Sequence, residues 1–294
     1  MRKRRKIKPM NIILHALFLI ICAICIYPFL LILFNAISGE GYIVENGYVA
    51  WPKEISFAAF EMLMRMPQQL IQSTLISIVD AVGGPLFGIV VQSLAGYALT
   101  RDDFILQKPL KYYFMLALFL PAAGLIPTYI VNTEFYHLDN NILVYILPAS
   151  VSAMGVFLYR TFFRTIPAEI IESARIDGAT DMQIWSKMML PLSKSFIATQ
   201  FFLNLSGRWK DYTTSLYYMT EPELQNLEYY VQQVVKNVEL LKNNAILLGQ
   251  DASQFPAETM RFAVVFFALI PVMIIFPLMQ KYFEKGATVG SVKG

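Results

Sequence analysis

Four charged residues stand where a lipid-crossing segment has no inexpensive place for them. Asp80 lies well inside one apolar run, and Arg208, Lys210 and Asp211 follow Gly207 near the end of another. Such groups face a bundle interior or a watery cavity when they occur within spans. With Asn204 a turn earlier, Trp209, Asp211 and Tyr212 offer amide, aromatic and carboxylate groups together. That mixture suits a sugar, which presents C–H faces and hydroxyls side by side, so a polar passage lined by Asn204, Trp209, Asp211 and Tyr212, with Asp80 as a further acid, is one reading. A plainer one fits the same residues: Arg208, Lys210 and Asp211 mark the outer end of a shorter helix, and Tyr217 and Tyr218 belong to the interfacial aromatic belt.

Other chemistry is missing from the chain. His15 and His137 are far apart, and no Cys/His/Asp cluster has the spacing of metal ligands. Cys22 and Cys25 form C-x-x-C within hydrocarbon-like sequence, where the thiolate needed for redox or metal work is disfavoured, so they read as small packing residues. No G-x-x-x-x-G-K-[ST], G-x-S-x-G or H-E-x-x-H occurs. The expectation is a chain with no catalytic residues, no metal and no cofactor of its own.

The elements that position these residues follow from composition. Apolar residues make up 56% of the chain, charged residues 15%, and mean hydropathy is +0.50, far from the balance of soluble domains. A span takes about 20 mainly apolar residues. Six windows qualify, at 11–34, 70–99, 112–131, 142–163, 196–218 and 262–280, so the fold class expected is all-α, a polytopic membrane protein with six transmembrane helices. The first is too long for a signal core and lacks a small-residue cleavage site.

Lysine and arginine set the orientation. Arg2, Lys3, Arg4, Arg5, Lys6 and Lys8 precede the first span, and further basic residues crowd the segments after spans two, four and six. Positive charge stays in the cytoplasm, which puts both termini there. The division expected is a basic leader at 1–10, a first span at 11–34, an extracytoplasmic segment at 35–69, a core at 70–280 and a cytoplasmic tail at 281–294. The net charge of +3 reflects this asymmetry and does not argue for nucleic acid. Span two carries Gly84 and Gly88 as G-x-x-x-G with Pro85 between them, a small face for close helix packing and a kink.

Between spans four and five runs ESARIDGATDMQIWSKMMLP, residues 172–191. It begins on acids at Glu169 and Glu172, carries small residues at Ser173, Ala174, Gly178 and Ala179, and stops at Pro191, a pattern that fits a short helix over 168–190. In a membrane protein without catalytic machinery, it reads as a handle for another protein.

This segment resembles the E-A-A-x3-G-x9-I-x-L-P signature of permease subunits in ATP-binding-cassette importers. Glu172, Ser173, Ala174, Gly178, Met188, Leu190 and Pro191 stand at its positions, with Ser173 in place of alanine and Met188 in place of isoleucine. The flanking IPAEIIESARIDGAT and MMLPLSK are similar to the carbohydrate-importer branch, and QKYFEKGATVGSVKG is similar to the tail of maltose-type permeases. WPKEISFAAFEMLM is nearest to the subgroup importing complex oligosaccharides. The resemblance implies a type I ABC importer permease in the bacterial cytoplasmic membrane. It implies a coupling helix seated in a cytoplasmic ATPase dimer through Glu172, Ser173, Ala174, Gly178, Ala179, Leu190 and Pro191, with tail residues Gly290, Val292, Lys293 and Gly294 touching the same ATPase. It implies also a second permease subunit, an extracytoplasmic solute-binding protein, an oligosaccharide cargo and surrounding lipid, with ATP and Mg used by the partner and not by this chain. Two other classes remain open from the residues alone: an ion-coupled secondary transporter acting through Asp80 and Asp211, and a membrane scaffold or sensor.

Overall fold

A computed structural model describes residues 9–65, 67–120, 124–247 and 255–291. Among these, regular structure is helical, apart from one isolated antiparallel bridge between Ser38 and Ile55. The chain divides into two compact units, residues 1–67 with 231–270, and residues 68–230 with 271–294.

In the first unit, the Pro9–Ala36 helix is apolar on every side and exposed along most of its length, the mark of a helix whose solvent is lipid. Cys22 and Cys25 stand exposed on it as free thiols. The following segment folds back through short helices at Glu40–Asn46 and Ala58–Leu63. Its fixed point is Glu40, whose carboxylate accepts from the Glu258 and Thr259 amides at 2.9 and 3.0 Å and from the Thr259 hydroxyl at 2.9 Å. A carboxylate there satisfies the orphan donors that open the Ala257–Ser291 helix and complements its dipole.

The second unit is built around the Gly84–Ala98 helix. It is preceded by the Pro67–Ile78 helix and a widened π turn at Val79–Gly83. A second π turn, Trp185–Met189, likewise ends two residues before a proline, Pro191. Proline has no N–H for the carbonyl four residues back, so the ladder loosens there and a π turn takes up the slack.

Gly84, Gly88 and Gly96, four and then eight residues apart, share one face of the helix. A Cβ at Gly84 would land on the Arg208 guanidinium, one at Gly88 on the Ser150 carbonyl oxygen, and one at Gly96 within 2.6 Å of Tyr159 Cβ. The Ala153–Phe163 helix therefore packs with its backbone nearly against this face, and Gln92, on the same face, donates to Ser150 O at 2.6 Å.

Three helices among the described residues are long and apolar enough to cross a membrane: Met10–Ala36, Pro67–Ala98 and Ala257–Ile275. The other three expected windows are divided into shorter helices. The 112–131 window holds parts of Gln107–Phe119 and Leu125–Ile130, 142–163 holds Leu143–Ile146 and Ala153–Phe163, and 196–218 holds most of Lys194–Trp209 and then Thr213–Tyr218. Non-helical backbone at membrane depth survives only where protein or a cavity covers it.

Candidate functional site

The 168–192 segment is a helix, a turn and a second helix, where the residue pattern predicts one helix. Ala168–Ile176 ends at Gly178, whose φ is +82°, a left-handed conformation that glycine adopts without strain. The Gly178 amide donates to Arg175 O at 3.0 Å and the Ala179 amide to Ala174 O at 2.9 Å. These are the two bonds of a Schellman stop, and Ala174 and Ala179, its expected apolar pair, pack in one hydrophobic cluster.

Thr180 then starts the next helix. Its hydroxyl accepts from the Gln183 amide at 3.4 Å, while Gln183 Oε1 accepts from the Thr180 amide at 2.9 Å, a reciprocal capping box. The T-x-x-Q pattern that announces it is visible in the sequence, and the single-helix reading missed it.

One side of this pair of helices is sunk into protein. Ala174, Ile184 and Met189 are buried with Tyr97, Tyr159 and Phe163, and Ala179 packs on them. The other side is bare: Glu172, Ser173, Asp177, Gly178 and Pro191 are exposed, Leu190 is half-buried, and Ile176 and Met182 leave 86% and 58% of their surface uncovered. Apolar knobs on a charged turn are what a docking surface offers.

Beneath the turn lies a charged cluster that sequence reading did not single out. Arg101, just past the Gly84–Ala98 helix, pairs with Asp181 and Asp103, and the Tyr97 hydroxyl reaches Asp181 Oδ1 at 3.3 Å. The Arg101 hydrogen bond holds the Asp103 carboxyl down at about 2, and the same contact raises Arg101 above its ordinary range. Arg160 donates to Leu99 O at 3.1 Å, and Trp185 Nε1 to Ser93 Oγ at 3.2 Å.

The residues proposed for a passage have separate employments. Asp80 is buried, and its Oδ1 accepts from Arg208 Nη1 at 2.8 Å; the same guanidinium reaches Tyr145 O and, at 3.2 Å, Ser150 Oγ. Asp80 Oδ2 has no hydrogen-bond partner among the described residues. The Asn204 amide donates to Gln200 O on its own helix at 2.8 Å, and Trp209 is buried. Lys194–Trp209 ends at Lys210, and the Asp211 carboxylate accepts from the Thr213 amide at 2.9 Å and from the Thr213 and Thr214 hydroxyls at 2.5 Å each, capping Thr213–Tyr218. Tyr212 stands exposed at the start of that helix. Aromatic and amide groups also line a different concavity of about 760 Å³, among them Tyr113, Phe114, Tyr136, Asn132 and Asn141. Gly290 lies near the end of Ala257–Ser291, whereas Val292, Lys293 and Gly294 fall outside the described residues.

Comparison with known proteins decides what this arrangement belongs to. The family model described as "Binding-protein-dependent transport system inner membrane component" matches residues 5–289. The chain belongs to this family. As an inner-membrane transport component, it is similar to the polygalacturonan/rhamnogalacturonan transport system permease protein YtcP of Bacillus subtilis (strain 168), 29% identical over 97% of this chain and 98% of that one. It is also similar to the melibiose/raffinose/stachyose import permease protein MelC of the same organism, 27% identical over 98% of each. Among solved structures, a bacterial ABC transporter involved in the import of the acidic polysaccharide alginate matches with a TM-score of 0.81 and 26% identity, covering 93% of this chain and 96% of that chain. The fold is therefore the all-α type I importer permease fold.

Proposed function

We propose that this chain is the membrane-spanning permease subunit of an ABC importer for an oligosaccharide. An extracytoplasmic solute-binding protein delivers the sugar, and a separate cytoplasmic ATPase dimer, using ATP and Mg, drives its movement. The observation carrying this reading is the 168–192 segment: a helix–turn–helix anchored on one side by Ala174, Ile184 and Met189 and bare on the other at Glu172, Ile176 and Met182. It gives an outside motor something rigid to push, and it does so within a chain matched by the family over nearly its full length.

In this reading the chain crosses the membrane six times with both termini inside, the 168–192 turn seats in the ATPase, and the tail from Gly290 to Gly294 touches the same partner. A second permease subunit supplies the facing half of the passage. Aromatic and amide groups around the Tyr113–Asn141 concavity, with the exposed Asn204 and Tyr212, provide the C–H faces and hydrogen bonds that a sugar needs, whereas Trp209 is buried and the Asp211 carboxylate is taken up by Thr213 and Thr214. This chain's own contribution is positional, and bond-making falls to the ATPase.

The test is uptake by proteoliposomes holding the chain with its second permease and ATPase, supplied with binding protein and a panel of neutral and uronic oligosaccharides. Accumulation that stops when ATP is withdrawn and persists with an ionophore is the expected result. Accumulation that survives without ATP and collapses with the ionophore would point to an ion-coupled carrier. No accumulation of any sugar, with the ATPase still bound, would point to a scaffold.

A further inference from the structure

We propose that the Asp181–Arg101 pair is a strut that carries movement of the 168–192 turn into the Gly84–Ala98 helix, so that Asp181 is a positioning residue for transport. The inference rests on the permease reading above.

Asp181 is the first residue of the helix that Thr180 caps, directly after the Gly178 turn. Its Oδ1 is engaged by Arg101 Nη1 and by the Tyr97 hydroxyl, both at the end of the Gly84–Ala98 helix or just beyond it. The guanidinium is itself held from behind, since Arg101 Nε donates to Asp103 Oδ1 at 2.7 Å. One turn further along, Trp185 Nε1 ties the same helical segment to Ser93 Oγ, a group with 0% exposure.

Displacing the turn therefore pulls on the Gly84–Ala98 helix at its C-terminal end, through Tyr97 and Arg101, and again at Ser93 within the helix. The other end of the helix is Gly84, packed against the guanidinium that holds Asp80. A helix tied at one end to the docking turn and pressed at the other against a buried ion pair is a contiguous mechanical path, the physical requirement for coupling two sites.

The two ends of the pair differ: the Arg101 side chain is 15% exposed, whereas Asp181 keeps 62% of its side-chain surface, and an ion-pair partner so exposed adds little to stability. Its exposure also invites the competing role of a direct ATPase contact. The double engagement of Oδ1 by Arg101 and Tyr97 argues for the inward role instead.

The experiment uses the full chain in complex with its second permease and ATPase in proteoliposomes, measuring ATP hydrolysed per sugar moved for D181N, D181E, R101Q and the D181N/R101Q pair. D181N is expected to raise that ratio about tenfold, within the usual range of coupling between sites. D181E should stay near the parent ratio, ATPase co-purification should be unchanged, and the double variant should be no worse than the worse single one. A D181N ratio within twofold of the parent, loss of the ATPase from the D181N complex, or additive effects in the double variant would each overturn the strut. Should the parent complex show no ATP-driven uptake, the permease reading fails separately. Amide exchange in the full chain then decides on the strut, which requires D181N to speed exchange in both the 177–184 and 97–104 segments and is overturned by unchanged rates.

Discussion

Asp80 and Arg208 lie 128 residues apart in the chain and meet with Oδ1 2.8 Å from Nη1, where only 2% of the Asp80 side chain and 13% of the Arg208 side chain remain uncovered. Each makes the other tolerable in the interior of the second unit. Removing one partner leaves a bare buried charge, at a cost of about 3–5 kcal/mol, whereas replacing both by apolar groups of like shape is often neutral. Accordingly D80L and R208M should each lower the thermal stability of the purified chain sharply, and D80L/R208M should recover most of it. Equal losses in the double variant and the single ones would show that the pair is not the source of the effect.

The glycine face makes a second test. In G96A the new methyl meets Tyr159 Cβ at 2.6 Å, the Arg160 amide at 3.0 Å and the Val156 carbonyl at 3.1 Å, largely backbone that cannot swing away. Overpacking of about 1–3 kcal/mol outweighs the ~1 kcal/mol that alanine gains over glycine in a helix. Gly207, inside Lys194–Trp209 with nothing within 4 Å of the added carbon, is the control. G207A should leave the melting temperature of the detergent-purified chain unchanged or raise it, while G96A lowers it.

Gly178 tests the proposed docking turn without disturbing a contact inside the chain. Its surroundings within the chain are open, so the penalty of a side chain on the chain's own fold is conformational, about 1–2 kcal/mol for the left-handed backbone. Asparagine tolerates that region and valine does not. ATP-driven uptake is therefore expected to fall in the order parent, G178N, G178V, with assembly measured alongside. Equal uptake in G178N and G178V would mean that the turn's backbone is not what matters.

The Asp103 carboxyl offers a pH test outside the membrane. Arg101 lowers it to about 2, so the contact's contribution is present above the ordinary carboxylate range near 3.9 and is lost as pH falls from there through about 2. Across pH 5–8 the contact is pH-independent. NMR titration of the labelled carboxyl should place its midpoint near 2 in the parent and near 4 in R101Q. A midpoint that ignores the R101Q change would remove Arg101 as the cause.

Much of this protein is legible residue by residue, because the forces involved act between near neighbours. An apolar run of span length announces lipid, and the E-S-A-x3-G spacing marks the family signature before any contact is known, whereas the chain reversal at Gly178 was hidden by reading 168–190 as one helix. Even the second start at Thr180 was readable, since T-x-x-Q is a cap written into four residues. The six-span count is a different matter, because length and hydropathy cannot say where prolines and serines interrupt a helix within a window, as between Ile146 and Ala153.

Partnership between distant groups is what the chain alone did not disclose. Asp80 and Asp211 look alike in sequence, two acids near apolar runs, yet one is spent on Arg208 and the other on the N-terminus of the next helix. Arg101 and Asp181 lie eighty residues apart and are ordinary loop charges until packing of the Gly84–Ala98 helix brings them together. Sequence determined the solvent and where the long apolar helices run, since these depend on each residue and its next few neighbours. Tertiary structure decided which charge answers which, since that depends on closing long loops onto a packed glycine face, a condition no local pattern contains.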